Sequence, residues 1–112
     1  LPPSSAASDV YKRQVFELEI RPRGSIATTT NVPGTNLSFG NSTDPREHTI
    51  GTAIDHIGFE VENLNDFCLK LQAKGVQFEA PYHENEALGI ATAFLTDPGG
   101  VRIELTEGLD AY

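Results

Sequence analysis

Between residues 53 and 106 polar and apolar positions fall into short runs whose periods name the elements. Ala53–Val61 sets Ile57, Phe59 and Val61 on one side and His56, Gly58 and Glu60 on the other, the period of two of a half-buried strand. Leu64, Phe67, Cys68 and Leu71 then recur at three- and four-residue spacing, the apolar stripe of a helix. Asn63 is the expected N-cap, with Asp66 three residues on. Lys70 and Lys74 suit the negative end of the helix dipole, and Gly75 ends the helix. Val76–Phe78 reads as a short strand and Ala80–Leu88 as a polar loop. Gly89–Thr96 and Val101–Thr106 read as strands joined by the turn Asp97-Pro98-Gly99-Gly100. The order is βαβββ and the expected fold class is α+β.

The first half carries shorter patterns. Val15–Ile20 alternates Phe16, Leu18 and Ile20 with Glu17 and Glu19 and reads as a strand. Ser25–Thr30 and Thr35–Phe39 read as two more, around a turn at Asn31-Val32-Pro33-Gly34. Gly40–Thr52 has almost no apolar residue and reads as a linker. Ile26–Phe39 parallels Ile90–Leu105, each reading strand, Pro-Gly turn, strand. The alternative is chance likeness between two Thr-rich hairpins. If the repeat is real, residues 15–40 are the remnant of a first module, 41–52 a linker and 53–108 a complete second module. Ser4–Gln14 matches the in-frame translation of a transposase sequencing adapter, so residues 1–14 are expected to be a non-native tail outside the fold.

The chain has 112 residues and a formal charge of −8, with its basic residues scattered. That disfavours nucleic acid and anionic membrane as partners, both of which reward clustered Lys and Arg. Cys68 is the only cysteine, which excludes an intramolecular disulfide and a cysteine metal cage. No apolar run has the length of a membrane span, and a cytoplasmic location is the simplest expectation. A core this short is small, and a second copy of the chain is one way to enlarge it.

The candidate chemistry lies on two strands. On the last one Val101, Ile103 and Leu105 point one way and Arg102, Glu104 and Thr106 the other. If the helix covers the apolar side, His56 and Glu104 share the opposite face, where imidazole plus carboxylate suits zinc, iron, nickel or manganese. The alternative is a solvated face on which Glu104 pairs with Arg102 or another cation and His56 is a hydrogen-bonded surface histidine.

Ala53-Ile54-Asp55-His56-Ile57-Gly58-Phe59 resembles the opening strand of a vicinal-oxygen-chelate module, and Phe94–Leu105 resembles its closing hairpin. This is the glyoxalase, bleomycin-resistance and extradiol-dioxygenase superfamily. Gly99 departs from the aromatic or acidic residue usual within the Asp-Pro-x-Gly turn. The resemblance implies that His56 and Glu104 bind a divalent metal (Fe, Zn, Ni or Mn), and that the metal holds two neighbouring oxygens of a small-molecule substrate. It also implies a second module contributing ligands, but Glu104 aligns with Ser38 in the first hairpin, a poor ligand. A further His from a preceding strand would give a two-His, one-carboxylate set, as in extradiol dioxygenases. A homodimer meeting cleft to cleft would instead supply two imidazoles and two carboxylates, although residues 15–39 should already occupy the partner module's place. The other implied activity is non-catalytic sequestration of a small molecule, which needs no metal. Arg102, and His83 and Tyr82 in the expected 80–88 loop at the cleft mouth, are the expected substrate contacts. His48 lies in the expected linker and Cys68 on the apolar stripe of the helix.

Overall fold

The computed structural model describes residues 11, 14–22, 29–32, 35–38, 45 and 47–111. Apart from Tyr11 and Gln14, the expected 1–14 tail therefore lies outside the described residues, as do most of residues 39–46. The chain divides into two compact units, Leu1–Glu47 and His48–Tyr112.

In the first unit β1 (Thr29–Val32) pairs antiparallel with β2 (Thr35–Ser38), Thr30 opposite Leu37. Thr30 is buried, and its hydroxyl donates to the Leu37 carbonyl at 3.3 Å. The expected strand Val15–Ile20 does not form. Residues 14–16 are helical, Glu17 has a φ of 53°, and only Ile20 bridges, to Thr30. Val15 and Leu18 stand three apart, a helical spacing that the short alternation overlaps.

The second unit is a four-stranded sheet with one helix on it. Its elements are β3 (His56–Glu60), α1 (Leu64–Ala73), β4 (Ala80–Asn85), β5 (Ile90–Thr96), β6 (Arg102–Glu107) and a 3₁₀ turn, Leu109–Ala111. The order across the sheet is β3-β6-β5-β4; β3 runs parallel to β6, and the other two pairs are antiparallel. Leu64, Cys68 and Leu71 of α1 form the core with Ala91, Ala93, Leu95, Ile103 and Leu105 of β5 and β6, all buried. Alternation along β5, and along β6 as far as Leu105, puts these side chains on the α1 face and their neighbours on the other.

The helix ends differ in how they are made. At the C-terminus Gly75 has a φ of +87°, and the Gly75 and Val76 N–H groups donate to the carbonyls of Gln72 and Leu71, a Schellman arrangement. At the N-terminus the expected Asn63 side-chain cap is absent and Asn63 is left-handed. The Glu107 carboxylate replaces it, accepting from Asn63 N at 2.8 Å and Leu64 N at 3.0 Å. A carboxylate at the positive end of the helix satisfies two otherwise unpaired donors. Glu107→Ala is expected to lower stability by about 1 kcal/mol, measured as a shift in the urea midpoint.

Two expected segments change identity. Residues 76–78 have no regular structure, and the expected 80–88 loop is mostly β4. β4 lies at the sheet edge, where Pro81 needs no ladder partner for its missing N–H, and the register shifts between Ala80 and His83. Its polar composition follows from pairing on one side only.

Candidate functional site

The parallel register of β3 and β6 sets His56 opposite Arg102 and Gly58 opposite Glu104, on the face away from α1. From there His56 Nε2 comes within 3.0 Å of Glu104 Oε2, with side chains 38% and 23% exposed. The other ring nitrogen, Nδ1, lies 2.9 Å from Asp55 Oδ1. Each nitrogen of one imidazole thus faces a carboxylate. The ring also meets Phe94 edge-on, with centroids 5.9 Å apart; Phe94 is in register with Glu104 on β5.

Arg102 stands beside this pair. Its guanidinium carbon lies 4.4 Å from the Phe94 ring centroid, within cation–π range. It donates to Asp55 Oδ1 at 3.2 Å and to both Glu79 oxygens, at 2.9 and 3.3 Å. Of the alternative reading, the Glu104–Arg102 pair does not form, since Arg102 takes Asp55 and Glu79; Glu104 pairs instead with His56, which is a hydrogen-bonded, part-exposed histidine as that reading expects. The result is an alternating row of charges and rings, Glu79–Arg102–Asp55–His56–Glu104, across one sheet face.

Asp55 is held tightly. The Gly51 N–H, then His56, and after them Arg102 bring its carboxyl from 3.8 down to about 2, against an opposing effect of desolvation that ranks ahead of Arg102. A depressed folded-state pKa contributes stability that is full above the unfolded value and disappears as pH falls through the folded one. The stability gap between the parent chain and Asp55→Asn is therefore expected to be constant above pH 5 and to close between about pH 4 and 2, followed by urea unfolding across that range.

The remaining candidates separate. His83 is exposed and pairs with Thr92, whose side of β5 is that of Phe94, so it lies on the His56–Glu104 face. Tyr82, its strand neighbour, points the other way. Its hydroxyl donates to Glu84 at 2.6 Å, and that bond, with partial burial and the Glu84 charge, pushes its pKa up to about 12. Tyr82 lines a shallow hollow of about 290 Å³ with Glu84, Glu86, Ala91 and Glu107, apart from His56 and Glu104. His48 is exposed outside the sheet, and Cys68 is buried on α1. Asp55 and Glu79 are the residues that the alternation patterns do not reveal, since both precede their strands. The adjacency of an acid to a candidate ligand histidine is the signal that points to Asp55.

Among the described residues no three His, Cys, Asp or Glu converge to hold a metal ion, and no helix is long and apolar enough to cross a membrane.

The α+β module carries its imidazole–carboxylate pair on the sheet face away from α1. A family model described as Glyoxalase/Bleomycin resistance protein/Dioxygenase superfamily matches residues 11–105. The chain belongs to this superfamily. Comparison with curated protein sequences gives no match. Among solved structures, a glyoxalase family protein from Bacillus anthracis has a TM-score of 0.72 at 16% identity, over 92% of this chain and 83% of that one. The genomically encoded fosfomycin resistance protein FosX from Listeria monocytogenes has a TM-score of 0.70 at 16% identity, over 94% and 85%. Lactoylglutathione lyase from Agrobacterium tumefaciens has a TM-score of 0.62 at 14% identity, over 92% and 84%. At these identities the likeness is one of fold.

Proposed function

We propose that the chain holds a divalent metal ion through His56 Nε2 and Glu104 and presents it to two neighbouring oxygens of a small substrate, as a metal-dependent enzyme of the glyoxalase and dioxygenase type. The observation that carries this reading is the 3.0 Å approach of the imidazole nitrogen and the carboxylate oxygen on an exposed sheet face, with the other ring nitrogen already engaged. One nitrogen and one oxygen donor suit Fe, Zn, Ni or Mn, and a carboxylate on the far side of a ligand histidine is the usual outer partner. Such an ion supplies Lewis acidity toward the bound oxygens. The chain's own residues hold the donors, wall the face with Phe94 and add the Arg102 cation beside it. Two donors leave coordination positions open for substrate, and they compete weakly with water, so binding by a single chain is expected to be weak.

A second reading follows from the same count. With no third donor converging among the described residues, the face would serve a binding protein of the bleomycin-resistance type, which captures a small molecule without metal. Equilibrium dialysis with acetohydroxamate, a chelator with two adjacent oxygens, separates the two. The enzyme reading expects uptake that requires Zn²⁺ or Mn²⁺ and is lost with EDTA. Uptake indifferent to metal would favour the binding protein, and no metal uptake at all would remove the enzyme reading.

A further inference from the structure

We infer that Asp55 is the positioning residue of this site: it accepts from His56 Nδ1 and so holds the ring with Nε2 toward Glu104. The inference rests on the metal reading proposed above and adds to it a residue outside the ligand pair. A carboxylate has no hydrogen to give, so a ring nitrogen hydrogen-bonded to Asp55 keeps its proton, and an ion entering between His56 and Glu104 would find its donor at Nε2.

The support for Asp55 is built rather than incidental. Oδ1 sits 2.9 Å from His56 Nδ1 and 3.2 Å from Arg102 NH1, while Oδ2 accepts from the Gly51 N–H. Both oxygens are therefore fixed, from the loop on one side and from β6 on the other. The loop itself is tied to β6. The Thr49 hydroxyl donates to the Asp55 carbonyl at 2.6 Å and accepts from Arg102 N at 2.9 Å, and Thr49 N donates to the Gly100 carbonyl at 2.9 Å. Arg102 is in turn held by Glu79. An aspartate one residue before a strand has no face imposed by the pleat, and here these bonds impose one.

The test reads the ring directly. In the metal-free chain at neutral pH, long-range proton–nitrogen correlation spectra should show His56 Nδ1 protonated. In Asp55→Ala that nitrogen should move toward the unprotonated range as the ring loses its acceptor. Asp55→Leu keeps the bulk, removes the acceptor and should behave alike if Ala loosens the 49–55 loop. Zn²⁺ binding should weaken about 10- to 100-fold in the same variants, as for loss of an outer partner of a ligand histidine. A His56 Nδ1 that stays protonated in both variants overturns the inference, as does unchanged Zn²⁺ affinity where the parent chain binds. If the parent chain does not bind Zn²⁺, the metal reading falls, and the nitrogen shifts alone still decide whether Asp55 orients the ring.

Discussion

Replacing His56 with alanine is expected to abolish metal uptake while the chain stays folded. The substitution removes the only nitrogen donor of the proposed pair and leaves the Glu104 carboxylate alone against water, so the loss should exceed the about 10- to 100-fold that an outer partner costs. The fold should survive because the packing lies elsewhere. His56 is on the face away from α1 with 38% of its side chain exposed, whereas the buried residues of α1, β5 and β6 meet on the other side. Substitutions away from a packed core typically change stability by no more than about 0.5 kcal/mol. Isothermal titration with Zn²⁺ and a thermal melt, run on the same preparations, measure both halves. Unchanged affinity in His56→Ala contradicts the ligand assignment.

The opposite outcome is expected one position beyond Glu104. Leu105 is fully buried, in register with Phe59 on β3 and Ala93 on β5. Leu105→Ala removes core volume that the surrounding strands can only partly refill, at a cost of about 2–5 kcal/mol. A single domain has about 5–15 kcal/mol in total, and a core of eight buried apolar side chains among the described residues of this unit belongs at the low end of that range. The variant is expected to lose most of its cooperative urea transition. Glu104→Gln, its neighbour on the other face, should keep the transition and lose metal. The pair tests which way β6 faces: equal effects on stability would mean that the two sides of the sheet are not distinguished as described.

The alternation on β6 is what made the site legible. Period-two patterns in β3 and β6 put His56 and Glu104 on one face, and the helical stripe from Leu64 to Leu71 put α1 on the other; none of this depends on distant partners. The Gly75 helix end was equally local, because a left-handed C-terminal glycine is required by the backbone itself. What the patterns missed was set by distance. The cap of α1 comes from Glu107, 44 residues from Asn63 along the chain, so Asn63 looked like the cap and is not. β4 looked like a loop because an edge strand may be polar and carry Pro81. Residues 15–20 alternate too briefly to distinguish a strand from a helical turn. Tyr82 and His83 were expected together at one cleft mouth, but strand geometry sends neighbouring side chains to opposite faces. Glu79 carries no local signal such as the adjacency of Asp55 to His56; Arg102 joins it to Asp55 only in the folded sheet.

The three histidines of the chain, His48, His56 and His83, make the central claim measurable in one experiment. His48 lies outside the sheet, His83 on the same face two strands farther from β3 than β6, and His56 at the proposed ligand position. Adding substoichiometric Mn²⁺ to the metal-free chain and following the three imidazole resonances reports which ring the ion approaches. The His56 signal should broaden first and most, with His83 less affected and His48 unchanged. Broadening led by His48 or His83, or no selective broadening, would contradict a metal site at His56 and Glu104.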